Sequence, residues 1–73
     1  MAEYRLGSSP AVRTPGLVAW AINGYAFEDD RPTLLHIIKT AWPHLPDDAI
    51  HQLLSGAVPY TVEDETVIFS VED

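Results

Sequence analysis

The sequence has no cysteine, few glycines and only four lysines and arginines among its 73 residues. Without cysteine there is no disulfide framework, no thiolate nucleophile and no cysteine-ligated zinc site. The fold must then hold by packing alone or with a partner's help. Four cations against eleven acids leave a formal charge of -7. A chain of that sign repels phosphate, gains no counterion release from DNA or RNA, and is disfavoured at anionic membrane surfaces. No apolar run approaches the roughly 18 residues of a membrane span, and no charged leader precedes a signal-peptide core. A cytoplasmic protein is therefore expected. There is no glycine-rich phosphate loop, and Ser8, Ser9, Ser55 and Ser70 lie in arm, helix-end and strand contexts rather than at a nucleophile elbow. The carboxylates are expected to be exposed at element ends, whereas acid–base catalysis needs one of them buried. Neither an enzyme nor a cofactor is expected.

What is present is an ordinary apolar content, 47%, too high for a wholly disordered chain. The length allows one domain. The charge is uneven: residues 1–13 carry Glu3 against Arg5 and Arg13, whereas residues 14–73 carry ten acids against only Arg31 and Lys39. A nearly neutral N-terminal arm thus precedes a strongly acidic domain over 14–73. The arm contains Gly7-Ser8-Ser9-Pro10, a flexible or turn-forming stretch, and a short strand is expected around Tyr4–Leu6.

Residues 14–24 (TPGLVAWAING) can be read two ways. Thr14 as N-cap, Pro15 in the first turn and Gly24 past the end punctuate a helix, with Leu17, Val18, Ala21 and Tyr25 on one face. Alternation of Val18, Trp20 and Ile22 before Asn23-Gly24 instead suggests a hairpin. Alanine is a poor strand residue, which favours the helix. A second helix is predicted from Pro32, with Leu34, Leu35, Ile38, Ala41 and Trp42 as its apolar stripe, ending before Pro43. A third follows Pro46, with Asp47 and Asp48 in its first turn, Ile50, Leu53 and Leu54 buried, Leu45 packed back over the start and Gly56 as the stop. The C-terminus reads as a hairpin. Pairing Val62 with Val67 sets Tyr60 opposite Phe69 and Val58 opposite Val71, with all six on one face. The predicted class is therefore α+β, a small single domain of three short helices followed by a C-terminal β-hairpin.

That element order resembles a winged helix-turn-helix, with the second and third helices as the helix-turn-helix pair and the hairpin as the wing. The resemblance implies a DNA-reading third helix and a cationic wing tip. The exposed positions of that helix are instead Asp47, Asp48, His51, Gln52 and Ser55, and the tip reads Glu63-Asp64-Glu65. Both have the wrong sign for duplex binding.

Asp29, Asp30, Asp47 and Asp48 stand at helix starts, where the dipole makes carboxylates favourable by roughly 0.3–1 kcal/mol each. Three like charges on a hairpin loop stabilise nothing local, so the tip is read either as a solvated turn that protects a sheet edge or as a site for a basic partner. His44, Asp47 and His51 could in principle hold a metal ion, but their spacing matches no specific zinc signature, and a surface pairing is preferred; no metal is expected. Trp20 and Trp42 are read as core. Tyr25 and Phe27, beside Glu28, Asp29 and Asp30, form an aromatic pair next to a negative patch, a make-up common in protein-binding surfaces.

These features point to a small acidic, non-enzymatic binding protein whose partner is a basic surface of another protein. The expected contacts are Glu28, Asp29, Asp30, Asp47, Asp48, Glu63, Asp64, Glu65, Tyr25 and Phe27. In its sharpest form the protein is a nucleic-acid mimic, and its size and composition resemble those of small inhibitors that phages and other mobile elements direct at host nucleases. The alternative is a winged-helix-like regulator or assembly subunit, dimeric, with DNA contact through Arg5 and Arg13 on the arm. So short a chain is not expected to bury Trp20, Tyr25, Phe27 and Trp42 alone, which allows a homodimer.

Overall fold

The computed structural model describes residues 2–9 and 12–72. Pro10 of the turn-forming stretch and Asp73, the last residue of the expected 14–73 domain, lie outside the described residues. The elements in chain order are strand β1 (Ala2–Leu6), helix α1 (Thr14–Gly24), a single 3-10 turn at Glu28–Asp30, helix α2 (Arg31–Ala41), helix α3 (Asp47–Leu54) and strands β2 (Tyr60–Glu63) and β3 (Thr66–Val71). The class is the α+β arrangement expected, with three helices followed by a C-terminal hairpin and one strand more at the start.

That extra strand makes β3 central. The sheet is antiparallel throughout, in the order β1-β3-β2. The hairpin register pairs Tyr60 with Phe69 and Val62 with Val67, as the hydrophobic pattern dictates. On the other edge Ala2, Tyr4 and Leu6 face Val71, Phe69 and Val67. Period-two alternation therefore places one apolar row from β1 and one from β3 on the same face, against the helices. The Tyr4 and Phe69 rings lie 5.6 Å apart. Two details of the hairpin differ from expectation. Val58 precedes β2, so it has no strand partner in Val71, and Val62 is 48% exposed. The helices pack on the central strand β3, and the outer end of β2 is left uncovered.

Residues 14–24 are helical, with Val18 and Ala21 buried and Leu17 and Tyr25 half-buried. The punctuation is shifted by one residue. Arg13, not Thr14, is the N-cap, Pro15 is the second helical residue, and the helix closes on Tyr25 in right-handed geometry. Thr14 is fully buried, and its hydroxyl donates to the Gly7 carbonyl at 3.1 Å instead of capping its own helix. Gly24 permits the close approach to α2, since a Cβ there would sit 3.2 Å from Leu34 Cδ1.

Helix α2 buries Leu34 and Ile38 and hands Trp42 to the core, while Ala41 of the expected stripe is exposed. Helix α3 buries Ala49, Ile50, Leu53 and Leu54, and Leu45 covers its first turn as a hydrophobic staple. It ends in a Schellman motif. Gly56 has φ +81°, its N–H donates to Leu53, and the Ala57 N–H donates to Gln52. Leu6, Val18, Ile38, Leu45, Ile50, Leu53 and Val67 meet in one cluster. No buried side-chain nitrogen or oxygen among the described residues lacks a partner. Among the described residues no helix is long and apolar enough to cross a membrane.

Candidate functional site

The three acid clusters occupy three different settings. Glu28, Asp29 and Asp30 form the 3-10 turn that runs into α2, and all three are exposed. Asp30 is the N-cap residue of α2, but its carboxylate makes no capping hydrogen bond. Asp47 and Asp48 open α3, and each has a local partner. Asp47 pairs with Lys39 across the α2–α3 junction, and the Asp48 carboxylate accepts from Gln52 Nε2 at 2.9 Å. A surface ion pair of this kind contributes little, typically under about 1 kcal/mol.

Glu63, Asp64 and Glu65 are exposed at the β2–β3 tip. The tip is a two-residue loop between the paired Glu63 and Thr66, with Asp64 at φ 50° and Glu65 at φ 62°. Positive φ at both central residues is the type I′ turn that suits the sheet's twist. Glycine or asparagine adopts it easily, whereas glutamate does so at a cost. Among the described residues no lysine or arginine pairs with any of these three acids.

The Ser8 hydroxyl donates to the Glu65 carbonyl and accepts from the Thr14 N–H at 3.1 Å. The tip is thereby tied to the first turn of α1. Gly7, one residue earlier, accepts from Thr14 Oγ1 and, at 3.2 Å, from Trp42 Nε1. Tip and α1 start are thus neighbours, whereas Glu28–Asp30 lie beyond the other end of α1, an 11-residue helix about 16 Å long. The tip and Glu28–Asp30 are set apart along the molecule rather than merged into one patch.

The predicted aromatic pair is also divided. Tyr25 is half-buried; its hydroxyl meets His51 Nδ1 at 2.5 Å, and the Arg31 guanidinium lies 4.8 Å above its ring. Arg31 Nε additionally donates to the Tyr25 carbonyl at 2.8 Å. Phe27 is 65% exposed, and Trp20 is 53% exposed. Trp20, Phe27 and Asp30, with Asn23, Gly24, Thr33 and Leu34, line a cavity of about 390 Å³. Trp20, expected in the core, is instead at the surface. A signal was available, because Trp20 lies two residues from Val18 and therefore on the opposite side of a helix whose buried stripe runs through Val18 and Ala21.

The three residues considered for a metal site are each engaged elsewhere. His44 Nε2 donates to the Arg5 carbonyl at 3.1 Å, Asp47 holds Lys39, and His51 holds Tyr25. Among the described residues no group of three or more histidines and carboxylates could hold a metal ion. Arg5, one of the two arm cations, lies on the outer face of β1 and pairs with Glu3 at 3.2 Å. Comparison with family models, curated proteins and solved structures finds no match.

Proposed function

We propose that this is a small non-enzymatic cytoplasmic protein that binds a basic surface of another protein through its exposed carboxylates. The observation that carries the reading is the hairpin tip. Three consecutive acids stand on a turn whose backbone disfavours Glu65, and among the described residues no lysine or arginine pairs with any of them. Asparagine and glycine would make the same turn more favourably, so turn-making alone does not account for the acids. In its more specific form the reading is nucleic-acid mimicry, with the tip, Asp47-Asp48 and Glu28–Asp30 taking the place of phosphates in a cationic groove. The separation of the clusters suits an extended partner surface. The alternative, DNA contact through a loose arm, draws no support from an arm whose residues 2–6 are a paired strand.

The test is capture of partners from cells at low and at high salt, with the chain and with a Glu63→Gln/Asp64→Asn/Glu65→Gln variant. A nucleic-acid-binding partner should be retained at low salt, released at high salt and weakened by the variant. Partner binding that is flat in salt and indifferent to the variant sinks the proposal.

A further inference from the structure

The end of the molecule where α1 passes into α2 brings two exposed aromatic rings and a carboxylate to one cavity, that of Trp20, Phe27 and Asp30. Asn23 and Thr33 add polar side chains to its wall, and Leu34 adds apolar surface. Glu28 and Asp29 lie immediately upstream in the same 3-10 turn. The adjacent Arg31 forms no ion pair with them, its guanidinium lying over the ring and bonding the carbonyl of Tyr25. Lys39, farther along α2, is committed to Asp47. The N-terminus of α2 offers about half a positive charge, which three carboxylates outweigh.

We propose that this cavity receives the guanidinium of an arginine presented by the basic partner. The inference rests on the reading above and makes it specific: the separated acids steer a cationic surface, and this cavity selects one side chain of it. Aromatic faces attract a cation through their quadrupoles. A guanidinium can also stack flat on an indole and bond a carboxylate with two parallel N–H groups, and it gives up its hydration more readily than an ammonium. A purely apolar occupant would desolvate Asp30 without providing a partner, and an anion would be repelled. A volume of about 390 Å³ is at the small end of ligand sites, in keeping with one side chain rather than an extended ligand.

The chain has two tryptophans, so an NMR titration reads the cavity directly. Trp20 reports on it, while the buried Trp42, whose indole N–H is held by the Gly7 carbonyl, serves as internal reference. The titrants are an oligoarginine peptide and an oligolysine peptide of equal length. Oligoarginine should move the Trp20 indole signal and leave that of Trp42 in place, and oligolysine should bind several-fold more weakly. Trp20→Ala and Asp30→Asn should each weaken oligoarginine by about tenfold. Trp20 is half exposed and Asp30 makes no capping bond, so both variants should keep the fold. Salt-sensitive binding that persists in both variants, or that leaves the Trp20 signal unmoved, overturns the arginine cavity while the acidic-surface reading stands. A Trp20 shift that is indifferent to salt keeps the cavity and removes the broader reading. Absence of binding by either peptide removes both. A Trp20 signal that moves with protein concentration alone identifies a second copy as the occupant and likewise overturns the proposal.

Discussion

The two ends of the α1–α2 pair are built on opposite principles. At one end Gly7, Ser8, Thr14 and Trp42 join β1, α1, the close of α2 and the β2–β3 tip through four side-chain hydrogen bonds, and the large aromatic ring there is buried. At the other end the chain turns through Phe27 and Glu28–Asp30, held by backbone bonds within the turn and by Arg31 on the Tyr25 carbonyl, and the rings of Trp20 and Phe27 are left exposed. Polar side chains close the structure at the first end, while apolar ones remain open at the second. The contrast separates a sealed region from one that leaves large apolar rings exposed, and the two tryptophans mark them.

Substituting those tryptophans gives the largest expected contrast. Trp42→Ala should cost about 3–5 kcal/mol, as buried aromatic truncations do. A domain this small rarely has more than about 3–5 kcal/mol of stability in total, so the variant should lose cooperative urea unfolding. Trp20→Ala, at a half-exposed position, should change the urea midpoint little, by under about 1 kcal/mol. Similar destabilisation by both would erase the distinction between the ends.

A smaller effect is expected at the closed end's hydrogen bonds. Thr14→Val keeps the buried shape and deletes the donor to Gly7, whose carbonyl retains the Trp42 indole; a loss of about 1 kcal/mol should follow. Ser8→Ala removes both the tie to the tip and the acceptor for the Thr14 N–H, with a loss of similar size, about 0.5–1.5 kcal/mol. Faster amide exchange at both the tip and the first turn of α1 in Ser8→Ala would show that the residue couples them. A change confined to one of the two would show that it does not.

An effect of similar size but opposite sign sharpens the comparison. Asp64→Asn with Glu65→Gly provides the residues a type I′ turn favours and should raise stability by about 1 kcal/mol. It also removes two tip charges, so the same variant should bind a basic partner more weakly. Gained stability with unchanged binding would reassign the tip from recognition to solvation.

Much of this was legible where a single period governed a segment. The stripe Leu34–Ile38–Trp42, the group Ile50, Leu53 and Leu54, and the register of Val62 with Val67 follow from spacing and alternation alone. The strand at Tyr4–Leu6 was also visible, though not its extent or its role, because pairing with β3 depends on residues more than sixty positions away. Thr14 looked like an N-cap by type and position. Its burial beneath Gly7 is a long-range fact that no local rule contains.

The candidate site shows the same division. The acids were identified by composition, and their exposure by their place at element ends. That Phe27 shares a cavity with Trp20, while Arg31 and His51 reach Tyr25 from α2 and α3, was decided by how the three helices pack.

By itself, then, the sequence determined the sign and grouping of the charge, the helical and strand periods and the hairpin register, since each depends on neighbours within a few residues. The tertiary structure alone decided that the arm is the sheet's third strand, that one tryptophan is sealed in and the other left open, and that a carboxylate shares a cavity with two aromatic rings. Those outcomes depend on which surfaces meet, and that is set by packing all the elements at once.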